Sequence, residues 1–241
     1  MIRTRDVSAG YGKRTVLQGV SLDIRPGSFT GLIGANGSGK STLVKAIVGR
    51  IPSTGAIEVD GCLGYMPQQA DIDWDFPATL FDVALFGRIA HLPWWRWPGT
   101  KDKAAARRAL ERVGLAELAN RPISALSGGQ RQRTLLARTL AGDPDVIILD
   151  EPFAGVDAAS QATIVEVLHE LNAAGRTIVL VHHDLAEVAA YCSDVVLLAG
   201  GTVMASGPTQ ETLTDANIAT LFSLPHSKRQ LAHHPRGGRD D

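Results

Sequence analysis

The segment Gly34-Ala35-Asn36-Gly37-Ser38-Gly39-Lys40-Ser41 fits the spacing GxxxxGK[ST], and it constrains the chain more than any other stretch. Its glycines let the backbone wrap closely around an anion, so that successive N–H groups point at phosphate oxygens. Such a loop works only between a strand and a helix. Both are present: Phe29 to Ile33 is a short apolar run, and Leu43, Val44, Ile47 and Val48 then repeat at helical spacing before Gly49, a natural C-terminal cap. The helix start near Lys40 adds the positive end of a helix dipole. This context predicts a nucleotide cradle built from Gly34, Asn36, Gly37, Ser38, Gly39, Lys40, Ser41 and Thr42. Lys40 is expected to reach the β- and γ-phosphates, and the Ser41 hydroxyl to bind Mg²⁺.

Three further apolar runs, Val146 to Leu149, Ile178 to Val181 and Val195 to Leu198, have the Val/Ile-rich character of parallel strands buried on both faces. Between the first two, Ile164, Val167, Leu168 and Leu171 mark a helix closed by Gly175. Alternating strands and helices predict an α/β fold with a mostly parallel sheet. From about Ala78 to Ala141 the pattern is mainly helical, which predicts an inserted helical subdomain. From Ser227 to Asp241 apolar periodicity is lost, and a mobile tail is expected, with His226, His233 and His234 exposed rather than ligands. Lys and Arg number 24 against 25 Asp and Glu, which gives no global electrostatic case for a nucleic-acid partner. No apolar run approaches the roughly 20 residues of a membrane helix, and Met1 to Tyr11 lacks the apolar stretch of a signal peptide. Cys62 and Cys192 form no CxxC and read as small reduced hydrophobes.

Asp150 directly follows the run Val146 to Leu149, where a Mg²⁺-ordering carboxylate belongs, and Glu151 comes next. A second carboxylate there can take a proton from an attacking water, although Asp-Glu after a strand is often only a polar strand end. Leu126-Ser127-Gly128-Gly129-Gln130 adds small residues and glycine amides ahead of another helical run, Gln130 to Ala141, and makes a second anion site. LSGGQ together with the phosphate loop resembles the ABC ATPase family, over essentially all of Met1 to Leu224.

The resemblance implies a P-loop NTPase (RecA-like) core with a mostly parallel sheet, an N-terminal antiparallel β subdomain and the inserted helical subdomain, all within residues 1–226. It implies an ATPase using ATP and Mg²⁺. It also implies a head-to-tail homodimer in which Ser127, Gly129 and Gln130 of one copy close over ATP held by the other. Tyr11 resembles the aromatic that stacks on adenine, although an exposed turn tyrosine is the plain alternative. Gln68 resembles the glutamine that senses Mg²⁺ and the attacking water. Asp157 matches the residue coupling the two sites, and His183, just before Asp184, matches the histidine that contacts the γ-phosphate.

The run Asp71 to Pro77, with Glu151 to Asp157 and His182-His183-Asp184, looks like the subfamily serving manganese, zinc or iron import; a siderophore, haem or another solute is the alternative cargo. The implied partners are an integral membrane permease and, through it, an extracytoplasmic solute-binding protein, with this chain peripheral on the cytoplasmic face of the membrane. A soluble non-transport machine is a further class, less suited to one cassette without sustained heptads. Asp71, Asp73 and Asp75 are read as part of the docking segment rather than as a metal site. Trp94-Trp95-Arg96-Trp97 holds three of the four tryptophans. It reads either as local packing in the helical subdomain or as contact with the membrane subunit or the bilayer interface.

Overall fold

The computed structural model describes residues 1–89 and 92–223. The expected tail from Ser227, and the three histidines at and within it, lie outside the described residues.

Six strands form the central sheet, in the order β5-β6-β7-β3-β8-β9. They are β3 (Phe29–Ile33), β5 (Leu63–Met66), β6 (Val146–Asp150), β7 (Thr177–Val181), β8 (Asp194–Ala199) and β9 (Thr202–Pro208). All pairings are parallel except that of β9, which lies antiparallel on β8 at the edge. Every residue of β3, β6, β7 and β8 is buried, which is why these strands read as continuous apolar runs rather than alternating ones.

Successive side chains on those strands point to opposite faces and so enter different cores. Ile147, Leu149, Ile178, Leu180 and Leu197 face one cluster, and Val146, Ile148, Val179, Val181 and Val196 face the other. The first cluster is covered by α2 (Leu80–Ile89), α3 (Thr100–Arg112), α4 (Gly128–Ala141) and α5 (Ala158–Ala173). The second is covered by α1 (Lys40–Ile47) and by a three-stranded antiparallel sheet. In that sheet β1 (Ile2–Tyr11) sits between β2 (Arg14–Ile24) and β4 (Ser53–Val59). Shorter helices α6 (Leu185–Tyr191), α7 (Thr209–Thr212) and α8 (Asp215–Ser223) complete the chain.

The expected antiparallel β unit and helical insert are both present, the latter as α2, α3 and α4. Cys192 is buried in the larger core, and burial pushes its thiol up to about 12, so it behaves as a small apolar group. Because the parallel strands all run the same way, their C-terminal ends open together, where α/β sheets place ligands. Gly34, Glu151 and His182 each follow one of these ends.

Leu136 of α4 is fully buried in the cluster joining the helical insert to the sheet. Leu136→Ala is expected to cost about 2–5 kcal/mol, measured by equilibrium denaturant unfolding, through lost burial and the cavity left behind.

Candidate nucleotide site

The loop from Gly34 to Gly39 joins β3 to α1. Gly39 has φ 108°, and a Cβ there would lie 2.7 Å from Leu17 Cδ2, so both its conformation and its space require glycine. Lys40 folds back over the loop: its Nζ donates to Gly34 O at 2.8 Å and to Ala35 O at 3.3 Å. The side chain is buried, and burial pulls its pKa down, opposed by the charges of Glu151 and Asp150. The result is a desolvated ammonium beside a helix N-terminus, an arrangement that favours a polyanion.

Asp150 ends β6 and is buried. Burial and the neighbouring Glu151 charge raise its pKa, while a hydrogen bond from Gln68 and the charge of Lys45 oppose the rise. Its Oδ1 is buried without a hydrogen-bond partner. A carboxylate so placed is short of positive charge. The hard oxygen donors of Ser41, Gln68 and Asp150 are of the kind Mg²⁺ takes, so the residues present fit that ion. Nearby Tyr65 is pushed up to about 12 by burial and by the Asp150 charge, so its phenol stays protonated.

Glu151 has φ 51°, in the left-handed region that favours glycine. Its N–H donates to Val181 O at 3.1 Å, which ties this strained turn to the end of β7. The turn carries the half-buried side chain into a cleft of about 470 Å³. The phosphate loop and helix start line that cleft through Asn36, Gly37, Gly39, Lys40, Ser41 and Thr42, and Tyr11, Gln68 and Glu151 join them from three other elements. Gly34 and the buried Ser38 lie behind this lining, as does Asp150. Arg14 and Val16 also line the cleft and escaped the sequence reading. Their only signal is position, at the start of the strand that follows the Tyr11-Gly12 turn. Tyr11 is 49% exposed, open on the cleft side.

Five other candidates are not in this cleft. Ser127 caps α4: Gln130 N–H donates to Ser127 Oγ at 3.3 Å, and Ser127 N–H donates to Gln130 Oε1 at 3.1 Å, a reciprocal capping box. Asp157 caps α5, accepting from Ser160 N–H at 2.9 Å and from Ser160 Oγ at 3.0 Å. The two caps touch. A Cβ on Gly129 would lie 2.4 Å from Ser160 Oγ and 2.7 Å from Asp157 Oδ2, so glycine is what lets the LSGGQ turn rest on the Asp157 loop. His183 is exposed, whereas His182 is buried, with Nε2 2.6 Å from Glu187 Oε2 and its ring edge-on to Phe153. Gln161 of α5 donates to Glu187 Oε1 at 2.8 Å, linking the histidine turn to the helix that Asp157 caps.

Among the described residues no group of three His, Cys, Asp or Glu side chains could hold a metal ion. Local packing does not explain the tryptophan segment, because Trp94, Trp95 and Trp97 are 92%, 70% and 89% exposed. The packed tryptophan is Trp74, whose Nε1 donates to Gln69 O at 3.1 Å beneath Arg131.

The ABC transporter family model matches residues 17–154. A zinc transport system ATP-binding protein of Treponema pallidum is 41% identical over all of this chain and 92% of its own length. A manganese transport system ATP-binding protein of Bacillus subtilis is 42% identical over 90% of each chain. A solved inward-facing transporter described as of metal-chelate type superimposes with a TM-score of 0.84 at 31% identity, covering 92% of this chain and 88% of that one. The chain belongs to the ABC transporter family, as an ATP-binding, ATP-hydrolysing cassette. No helix among the described residues is long and apolar enough to cross a membrane.

Two outcomes follow from the site's backbone. Glu151→Gly is expected to abolish turnover yet raise nucleotide-free stability by up to about 1 kcal/mol in denaturant unfolding, because glycine relieves the left-handed turn. Gly129→Ala is expected to lower ATPase turnover while nucleotide affinity, read by fluorescent-nucleotide titration, stays unchanged.

Proposed function

We propose that residues 1–226 form a single cassette that drives import of a divalent metal ion through a separate membrane permease. The single observation that carries the mechanism is the division of the site: the phosphate loop, Gln68 and Glu151 share one cleft, while Ser127, Gly129 and Gln130 line no part of it and Gly129 rests against the Asp157 loop. One chain therefore presents half of two sites, and two copies arranged head to tail complete both.

In this reading Tyr11 stacks on the adenine. Backbone amides of Asn36, Gly37 and Gly39, with Lys40 and Thr42, bind the phosphates. Mg²⁺, held by Ser41, Gln68 and Asp150, supplies charge neutralisation on the phosphate oxygens. Glu151 accepts a proton from water as the water oxygen bonds to the γ-phosphorus and the bond to the β–γ bridging oxygen breaks, releasing ADP and phosphate. His183, exposed at the turn after β7, contacts the γ-phosphate when the copies close. The facing copy's Ser127, Gly129 and Gln130 bind the same phosphate, so its loss lets the dimer open and resets the permease. Asp157 carries the state of one site to the other through Ser160 and Gly129. The chain then sits peripherally at the cytoplasmic face of the membrane, with an extracytoplasmic binding protein delivering solute to the permease.

The cargo class rests on the relatives, which are described as zinc and manganese systems, and on the neighbour of metal-chelate type, which keeps a chelated metal in view.

Lys40→Ala is expected to weaken ATP binding by about 10- to 100-fold, the worth of a lost charge-assisted contact. Glu151→Gln is expected to cut turnover by about 10²–10⁴-fold and to accumulate an ATP-bound dimer, read by light scattering. In cells grown at limiting metal, the same variant should show a selective fall in manganese, zinc or iron by elemental analysis. A rise would indicate export, and no change in any metal would move the cargo to another solute.

A further inference from the structure

The loop joining α2 to α3 carries an exposed feature that ATP chemistry does not use. Trp94, Trp95 and Trp97 all stand in solvent, and the rings of Trp94 and Trp95 meet edge to face at 5.7 Å. Pro93 and Pro98 bracket them and stiffen the presentation. Exposed apolar patches on otherwise well-packed proteins mark interaction sites. The fourth tryptophan, Trp74, is buried, so this display is not a general property of the residue in this chain.

The charge along this stretch of sequence is one-sided, and the groove lined by Lys101 and Arg108 holds more cations than carboxylates, Arg88 and Arg112 adding to them against Glu111 and Asp143. From Arg88 to Arg108 the sole acidic residue is Asp102. It is 2% exposed and already engaged, accepting from Arg88 Nε at 3.1 Å and from Gly99 N–H at 2.9 Å, with Arg96 at 3.9 Å. Arg96, Lys101, Lys103, Arg107 and Arg108 are exposed. A chain of net charge −1 thus concentrates cations beside its exposed indoles.

We propose that the Trp94–Trp97 loop and the exposed cations of α3 seat on an anionic phospholipid surface, as a tether separate from docking on the permease. Indole rings settle at the headgroup level, with their apolar body inward and N–H in the wet layer. Lys and Arg beside them gain from the negative leaflet within a Debye length. The competing occupant is a permease loop. Cytoplasmic loops of membrane proteins carry an excess of Lys and Arg, so a basic loop is repelled where the lipid attracts it. The tether does not depend on which solute is carried, and its failure would leave the ATPase and transport readings standing.

The test is co-sedimentation of the full chain with vesicles of phosphatidylcholine alone and of phosphatidylcholine with phosphatidylglycerol, followed by tryptophan emission. Binding is expected to the anionic vesicles, with a blue shift, quenching by brominated lipid, and loss on adding salt. W94S/W95S/W97S should weaken it by about tenfold or more, and K101E/K103E to a similar degree. ATPase turnover without vesicles should be unchanged in both variants, which checks that they fold. No binding to anionic vesicles, or equal binding by wild type and the tryptophan variant, would overturn the proposal. So would a tryptophan variant that loses only co-purification with the permease in detergent, since that outcome makes the loop a protein contact.

Discussion

The buried Lys40 ammonium is the constraint around which the site is organised. It lies at the N-terminus of α1, where the helix dipole is already positive, and its nearest partners are the carbonyls of Gly34 and Ala35 rather than a carboxylate. Two positive contributions therefore meet in a desolvated place, with only partial compensation from Asp150 and Glu151. Nucleotide phosphate relieves this excess. Across the cleft the opposite problem exists: Asp150 is buried, pushed toward protonation, and keeps an unpartnered oxygen. Nucleotide brings the anion that one side lacks, and in the proposed reading Mg²⁺ would bring the cation that the other lacks, so affinity would come from charge imbalances that the parallel sheet builds in.

The sheet does this because its strand ends converge. Gly34 follows β3, Glu151 follows β6 and His182 follows β7, and these three strands are neighbours. Glu151 reaches its position only through a left-handed turn, and strain of this kind persists where surrounding structure over-determines it. Here the Glu151 N–H to Val181 bond holds one side of the turn, and the Phe153–His182 contact lies behind it. From His182 the connection runs through Glu187 and Gln161 into α5, to the Asp157 cap and so to Gly129. In the proposed dimer that chain of contacts would link the γ-phosphate end of one half-site to the signature turn serving the other.

Much of this was legible in the residues. The phosphate loop needs glycine at fixed spacing, and a fully buried parallel strand needs an unbroken apolar run, so β3, β6, β7 and β8 announced themselves. The edge elements were less visible: β4 and β5 are partly exposed and carry no continuous apolar signal. The left-handed conformation of Glu151 was not legible, because nothing in Asp-Glu-Pro prescribes a positive φ. The contact between Gly129 and Asp157 was not legible either, since it joins residues brought together only by the packing of α4 on α5. Adjacent histidines divided into a buried partner of Glu187 and an exposed one, a distinction made by the turn rather than by composition. The tryptophans show the same lesson: Trp74 packs under Arg131, while the loop trio stays largely in solvent.

The claim on which the account turns is that one copy's phosphate loop is completed by another copy's LSGGQ turn. Inter-copy disulfide formation measures it directly, with Cys62 and Cys192 first replaced by serine. A chain carrying Asn36→Cys is mixed with a chain carrying Ser127→Cys and oxidised gently with and without MgATP. The expected result is a disulfide-linked pair that forms between the two different chains and depends on MgATP. No cross-link under any condition, or efficient bridging within one chain carrying both substitutions, would contradict it.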